Sequence, residues 1–162
     1  MPSDNDIIAH SHIAAGKNLR RFVEDLKPAE YLHRPTPKAN CTAWLIGHLI
    51  LTDKMVLTSL GATNIPELPA GFDKRFARED GAAQAKEFGD VTILLPLFEK
   101  LHAVLVEKIK SLPAADLDKK WEKPHPMFAT TGERLNYLAH HITMHAGQIT
   151  IIRRSLGRPP IA

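Results

Sequence analysis

The chain has little of what several protein classes require. Cys41 is its only cysteine, which excludes a disulfide framework and a thiolate-rich metal site and fits a reducing cytoplasm. No run approaches the roughly 20 apolar residues that a membrane-spanning helix needs. The opening Met-Pro-Ser-Asp-Asn-Asp is polar and acidic, without the basic and apolar regions of a signal peptide. A cytoplasmic protein with no membrane partner is therefore expected. There is no long Lys/Arg block and the formal net charge is only +3, so nucleic acid is not an expected partner. The nearest thing to a basic cluster, Arg153 and Arg154 next to Arg158, reads as a helix end whose cations complement the dipole and face solvent. Alternating β-branched runs with hairpin turns are absent, as is any internal repeat, which leaves an all-α architecture.

What is present is an ordinary globular composition, 44% hydrophobic and 24% charged over 162 residues. That is enough for one domain, 1–162, with a real core. Four helical stretches carry it. The first is expected from about Asp6 to Leu26, with Ile8, Ala15, Leu19, Phe22 and Leu26 on one face. After a link containing Pro35 and Pro37, the second starts near Cys41 with Asn40 as N-cap, runs through Leu45, His48, Leu49, Met55 and Val56, and ends at Gly61. A long connection over 62–89 follows, with a short helix expected around Gly81–Glu87. The third helix is capped by Asp90 and shows Leu94, Phe98, Leu101, Leu105, Ile109 and Leu112 on its face, with Pro113 as its stop. Pro96 lies too far inside for a start at Asp90 and predicts a kink or a later start. The last helix opens on Thr130-Thr131-Gly132-Glu133, a capping box, and buries Leu135, Leu138, Ile142, His145, Ile149 and Ile152 before Gly157 and Pro159 close it. The expected fold is a four-helix bundle with a long crossover between the second and third helices. Bundles of this size commonly pair as symmetric homodimers.

The chain has nine histidines, and two of them, His141 and His145, stand four residues apart in the last helix. Residues at i and i+4 lie one above the other on one helical face, so two imidazoles so placed can close on one metal ion. At this frequency roughly half such a pair is expected by chance, so its setting carries the weight. His145 falls within the apolar stripe and His141 at its edge. His48, between Trp44, Leu45, Leu49 and Leu51, sits in a similar setting on the second helix and is the candidate third ligand. Three imidazoles would hold a divalent metal and leave one or more positions open for water or substrate. The competing reading of each is a core histidine bonded to a carbonyl. Gln148, one turn beyond His145, is placed to orient a ligand or a metal water, and Thr52, four residues after His48, is a weaker candidate for the same task. His140 is about 100° around the helix from His141 and cannot easily share its ion. His10 and His12 lie near the N-terminus, and His33 and His125 lie in links, with His125 in a surface loop or at the mouth of the site. Position 142 is Ile rather than Glu, which removes the acid/base residue of a His-Glu-x-x-His protease. Cys41 at a helix start is about 10 Å along the axis from His48, too far to share its metal, and reads as a bystander thiol.

Trp44-Leu-Ile-Gly-His48-Leu, within Asn40 to Asp53, resembles the first histidine motif of the DinB/YfiT-like family. Gly132-Glu-Arg-Leu, His141-x-x-x-His145-Ala-Gly-Gln148 and Arg153-Arg154-Ser-Leu-Gly157-Arg-Pro-Pro160 resemble its C-terminal motif. The two motifs are moderately specific together, and the likeness covers nearly the whole chain. It implies a four-helix bundle holding one divalent metal, nickel or zinc, on three histidines, which carried over residue by residue are His48, His141 and His145. It also implies an enzyme acting on a small molecule. Some family members transfer a low-molecular-weight thiol or use one as a cofactor, so S-transfer with a thiol cosubstrate and metal-assisted hydrolysis are the expected chemistries. The alternative is a non-catalytic, stress-associated metal-binding or interaction protein. The connection after Gly61 and the loop around Trp121–Phe128 are expected to shape the substrate pocket.

Overall fold

The computed structural model describes residues 1–76, 88–123 and 125–161. The short helix expected around Gly81–Glu87 lies outside them. Each long helix begins where local chemistry satisfies its orphan N–H groups. Helix α1 (Asp4–Val23) is capped by Ser3, whose side chain and that of Asp6 bond each other's backbone N–H. Helix α2 (Thr42–Ser59) has Cys41, not Asn40, at the N-cap position, with no side-chain cap bond. A short α3 (Phe72–Phe76) follows. Asp90 caps a 3-10 turn over Val91–Ile93, and α4 (Leu94–Ser111) continues from it. Pro96 is thus the third residue of α4, in the first turn, where a missing N–H costs no intrahelical bond. It needs no kink. After the single turn α5 (Ala114–Leu117), α6 (Thr131–Ser155) opens on the Thr130–Glu133 capping box that its sequence predicts.

Side-chain bonds fix how the long helices run. His12 reaches the carbonyl of Leu135 and Arg153 that of Phe22, so α1 and α6 are parallel. Asn5 donates to Ile109 and Leu112, and Arg20 to Glu99, so α4 runs against α1. His48 lies against His141 and His145 while Arg134 bonds Ser59, so α2 runs against α6. Helices α2 and α4 are therefore parallel neighbours. The residues between them must return the chain along the bundle, which is the expected crossover. Helix α1 packs on α4 and α6, and α2 packs on α4. The α2–α6 seam is the thinnest, and neither α1–α2 nor α4–α6 makes a substantial contact among the described residues.

The predicted faces of α4 and α6 are all buried, as are Ile8, Ala15 and Leu19 of α1 and Leu26, which lies beyond the end of α1 at Val23, while Phe22 is half-buried. Met55 departs from the expected pattern: it is 58% exposed. Gly47 is where the crossover leans on α2. A Cβ there would lie 2.0 Å from the Phe76 ring, so only glycine lets α3 seat. Of the Arg153, Arg154 and Arg158 cluster, Arg154 is exposed in the last turn of α6 as expected, and the other two are not solvent-facing caps. Arg153 is buried and pairs with Asp25, and Arg158 bonds Asp25 and Glu30, tying the end of α6 to the link after α1. That pairing holds the Glu30 carboxyl down at about 2, chiefly through its hydrogen bond with Arg158.

Candidate metal centre

His48 projects from α2 where it faces α6, and His141 and His145 project from successive turns of α6 toward it. The three rings stand edge to face: His48 lies 5.2 Å from each of the others at 76° and 81°, and His141 and His145 are 4.4 Å apart at 74°. Their ligand-capable nitrogens all lie within 4.8 Å of one another, so the group could hold a metal ion. The Nε2 atoms of His141 and His145 are 2.9 Å apart. Two nitrogens on one tetrahedral zinc, each about 2.0–2.1 Å from it, would sit about 3.3 Å apart, so only a small adjustment separates the two arrangements.

The protonation pattern also suits a ligand set. His145 is buried, and burial lowers its pKa, favouring the neutral ring. Its Nδ1–H donates to Gln148 Oε1 at 2.8 Å, which leaves the Nε2 lone pair facing His141. Trp44, one turn before His48, stacks on its ring at 5.0 Å and 4° and fixes its plane. Thr52 does not take part in this way: its hydroxyl donates to the His48 carbonyl at 3.0 Å. A donor set of three imidazoles without thiolate or carboxylate among the described residues fits a borderline divalent ion such as zinc or nickel.

The histidines sit in a cavity of about 610 Å³ along the α2–α6 seam. Trp121, His125 and Phe128 of the 118–130 loop and Tyr137 of α6 form its aromatic wall, and Met55 and Met144 stand exposed at its edge. His125 thus lines the mouth, stacked on Phe128 at 3.9 Å, while remaining exposed. None of the described residues lining the cavity is acidic. Tyr137 and Arg134 were not singled out from sequence. Both lie on the face of α6 that carries His141, one and two turns before it, and that register is the signal that could have found them.

The remaining candidates lie elsewhere. His140 and His10 are exposed, and His33 meets Ser155 at 2.9 Å. Cys41 is fully buried, and burial pushes its thiol up, the opposite of activation. His12 is a core residue: its Nε2 donates to the Leu135 carbonyl at 2.9 Å. Beside it is a pair that sequence reading missed. Buried His102 of α4 meets buried Asp53 of α2 at 2.7 Å and donates from Nε2 to the His12 carbonyl at 3.1 Å. Burial pulls the His102 pKa down, but the Asp53 carboxylate outweighs it and the net shift is upward.

No helix among the described residues is long and apolar enough to cross a membrane. No curated protein matches the chain. A conserved protein from Enterococcus faecalis superposes with a TM-score of 0.71 at 18% identity, over 94% of this chain and 96% of its own. YfiT from Bacillus subtilis superposes with a TM-score of 0.69 at 16% identity, over 96% of this chain and 89% of its own. It is described as "a probable metal-dependent hydrolase with an unusual four-helix bundle topology". At these identities the likeness is one of fold. The sequence model of the DinB superfamily matches residues 13–149. That span runs from within α1 into the last turns of α6 and takes in all three clustered histidines, so the chain belongs to the DinB superfamily.

Proposed function

We propose that the chain is a metal-dependent enzyme that promotes attack of a nucleophile on an electrophilic small molecule. His48, His141 and His145 hold one divalent ion, zinc or nickel. The observation that carries this reading is the convergence of three imidazoles at the wall of an open cavity. A storage or purely structural site would be closed by a fourth protein ligand. Held by three imidazole nitrogens, such an ion would supply Lewis acidity, making a water or a thiol a stronger nucleophile near neutral pH and polarising the group under attack.

The chain's own residues do the rest. Gln148 fixes the His145 tautomer through Nδ1–H, and Trp44 holds the His48 plane. The aromatic wall excludes water from one side of the bound molecule. With no carboxylate among the described lining residues, proton transfer at the reacting atoms falls to the Tyr137 hydroxyl, to His125 or to solvent. The nucleophile is water in a hydrolase and a low-molecular-weight thiol in an S-transferase. The description of YfiT supports the first and the family resemblance the second.

The test is elemental analysis of the purified protein, followed by parallel assays of ester or amide hydrolysis and of thiol transfer to electrophiles, with and without chelator. One equivalent of metal, lost in His48→Ala and in His145→Ala, and one chelator-sensitive activity are expected. Full metal content in both variants would sink the ligand assignment. A tightly bound metal with neither activity would favour the non-catalytic alternative.

A further inference from the structure

Two arginines of α6 are buried to the same degree, Arg134 and Arg153, each 4% exposed. Arg153 is fully paired, its two terminal nitrogens on the Asp25 carboxylate and one also on the Phe22 carbonyl. Arg134 is not. Among the described residues its hydrogen-bond partner is Ser59 Oγ at 2.9 Å, its guanidinium carbon lies 3.7 Å over the Trp121 ring, and no acidic side chain pairs with it. A guanidinium has five N–H donors, and a buried cation without a counter-ion is costly unless something else supplies one. Burial lowers its pKa, with no neighbouring carboxylate to oppose the shift. Arg134 lines the histidine cavity together with a second cation, Lys123, and none of the described lining residues is acidic. It precedes His141 by seven residues, two helical turns or about 10 Å along the axis, on the same face.

We propose that the substrate is an elongated organic carboxylate. Its carboxylate is held in the plane of the Arg134 guanidinium, its apolar body lies along Trp121, Phe128 and Tyr137, and its reacting end meets the histidines. This rests on the metal-dependent reading of the same cavity and adds the substrate class to it. Trp121 covers one face of the guanidinium, which leaves the N–H edge for the bidentate contact that carboxylates make. Arg134 selects and positions the substrate, and the chemistry happens at the far end.

The experiment titrates the metal-loaded protein with a matched pair of probes, 4-phenylbutyrate and 4-phenylbutyramide, following tryptophan fluorescence and calorimetry. The carboxylate is expected to bind roughly tenfold or more tighter than the amide, as a charge-assisted contact requires. Arg134→Gln should bring the two together while leaving metal content and the amide's affinity unchanged. Lys123→Gln, on the exposed rim, should keep the preference, and it assigns the preference to Arg134 even if the Arg134 variant fails to fold. The same titration on chelator-stripped protein separates the two readings. A preference that survives without metal supports Arg134 whatever the fate of the metal-dependent reading. A preference that disappears with the metal places the anion on the ion and overturns the proposal. Equal affinities in the untreated protein, or no detectable binding of the carboxylate, would also overturn it.

Discussion

The molecule holds two groups of buried or half-buried histidines that differ in almost everything except residue type. In the core, His102 sits between the Asp53 carboxylate at 2.7 Å and the His12 carbonyl at 3.1 Å, and His12 bonds the Leu135 carbonyl. At the α2–α6 seam, His48, His141 and His145 converge on one another, with no acid among the described residues of the surrounding wall and a cavity of about 610 Å³ beside them. In the first group, protein atoms take up the protons, and the rings cross-link α1, α2, α4 and α6. In the second, His145 donates from Nδ1 to Gln148, and its Nε2 meets another imidazole, His141 Nε2, at 2.9 Å. His102, bonded at both ring nitrogens to fixed acceptors, is a structural cross-link, and His12 joins α1 to α6 through Nε2 alone. Rings that turn their nitrogens toward one another form a group that could hold a cation.

The largest test of that contrast is to remove Asp53. Asp53→Ala strands a buried imidazolium, and breaking a buried pair from one side costs about 3–5 kcal/mol. For a chain of this size that lowers the Tm by roughly 6–20 °C. His145→Ala, read the same way on chelated protein, should cost clearly less, because its partners are a surface glutamine and other histidines. If the two variants melt alike, the cross-link and ligand classes are not distinct.

Next in size is a pH effect confined to the core group. Burial and the neighbouring His102 pull His12 from 6.5 to about 4. A group whose folded pKa is lowered binds its proton first in the unfolded chain. Stability should therefore fall as pH drops from 6.5 to 4, by roughly 3 kcal/mol in all. His12→Gln keeps a donor for the Leu135 carbonyl and should flatten that limb. His102 runs the other way. Its raised pKa makes its contribution full below 6.5, and the contribution is lost as pH rises through the folded value. Denaturant titrations from pH 4 to 9 on the wild type, His12→Gln and Asp53→Asn separate the two limbs. An unchanged acid limb in His12→Gln would show that the loss arises elsewhere.

How much of this could be read from the chain alone depends on how local the cause is. The Thr130–Glu133 cap, the stop at Pro113 and the apolar faces of α4 and α6 are settled within a turn or two of helix, and they stand in the structure as the pattern predicts. The crossover follows from one long connection. Pro96 resolved itself once Asp90 was seen to cap a 3-10 turn rather than α4. What the pattern hid was pairing across sequence. Asp53 and His102 lie 49 residues apart, and each alone reads as an ordinary polar residue on an amphipathic helix. Arg153 reads as a helix-end cation until Asp25 is found beside it. Met55 fits the α2 stripe by spacing, but α2 faces an opening there rather than another helix.

Metal removal gives the third test. An ion that binds only the folded chain, at a hundred times its Kd, stabilises it by about 2.7 kcal/mol. Chelator should therefore lower the melting temperature of the native protein and leave that of His48→Ala unmoved. The Asp53 variants, destabilised from the start, should still show the chelator shift, because the two histidine groups share no residue. Loss of the shift in Asp53→Asn would mean that the core pair props the seam open, and the comparison would have to be redrawn as a single coupled unit.

The smallest expected effect falls on Gln148, where the two groups come closest to sharing a principle. Its Oε1 does for His145 what the Asp53 carboxylate does for His102, accepting from Nδ1, but without charge and at an exposed position. Partners of this kind typically contribute 10–100-fold in metal affinity. Gln148→Ala should weaken binding by about that factor, measured by competition with a chromophoric chelator, with little change in the melting temperature of the stripped protein. Gln148→Glu restores an acceptor and adds a negative charge, which none of the described residues lining the cavity carries. It should recover the affinity, and it should also make His145 easier to protonate, so that metal is released at a higher pH than in the native chain. If Gln148→Ala holds metal as tightly as the native chain, the Nδ1 contact is incidental, and the orientation of His145 comes from packing within α6 alone.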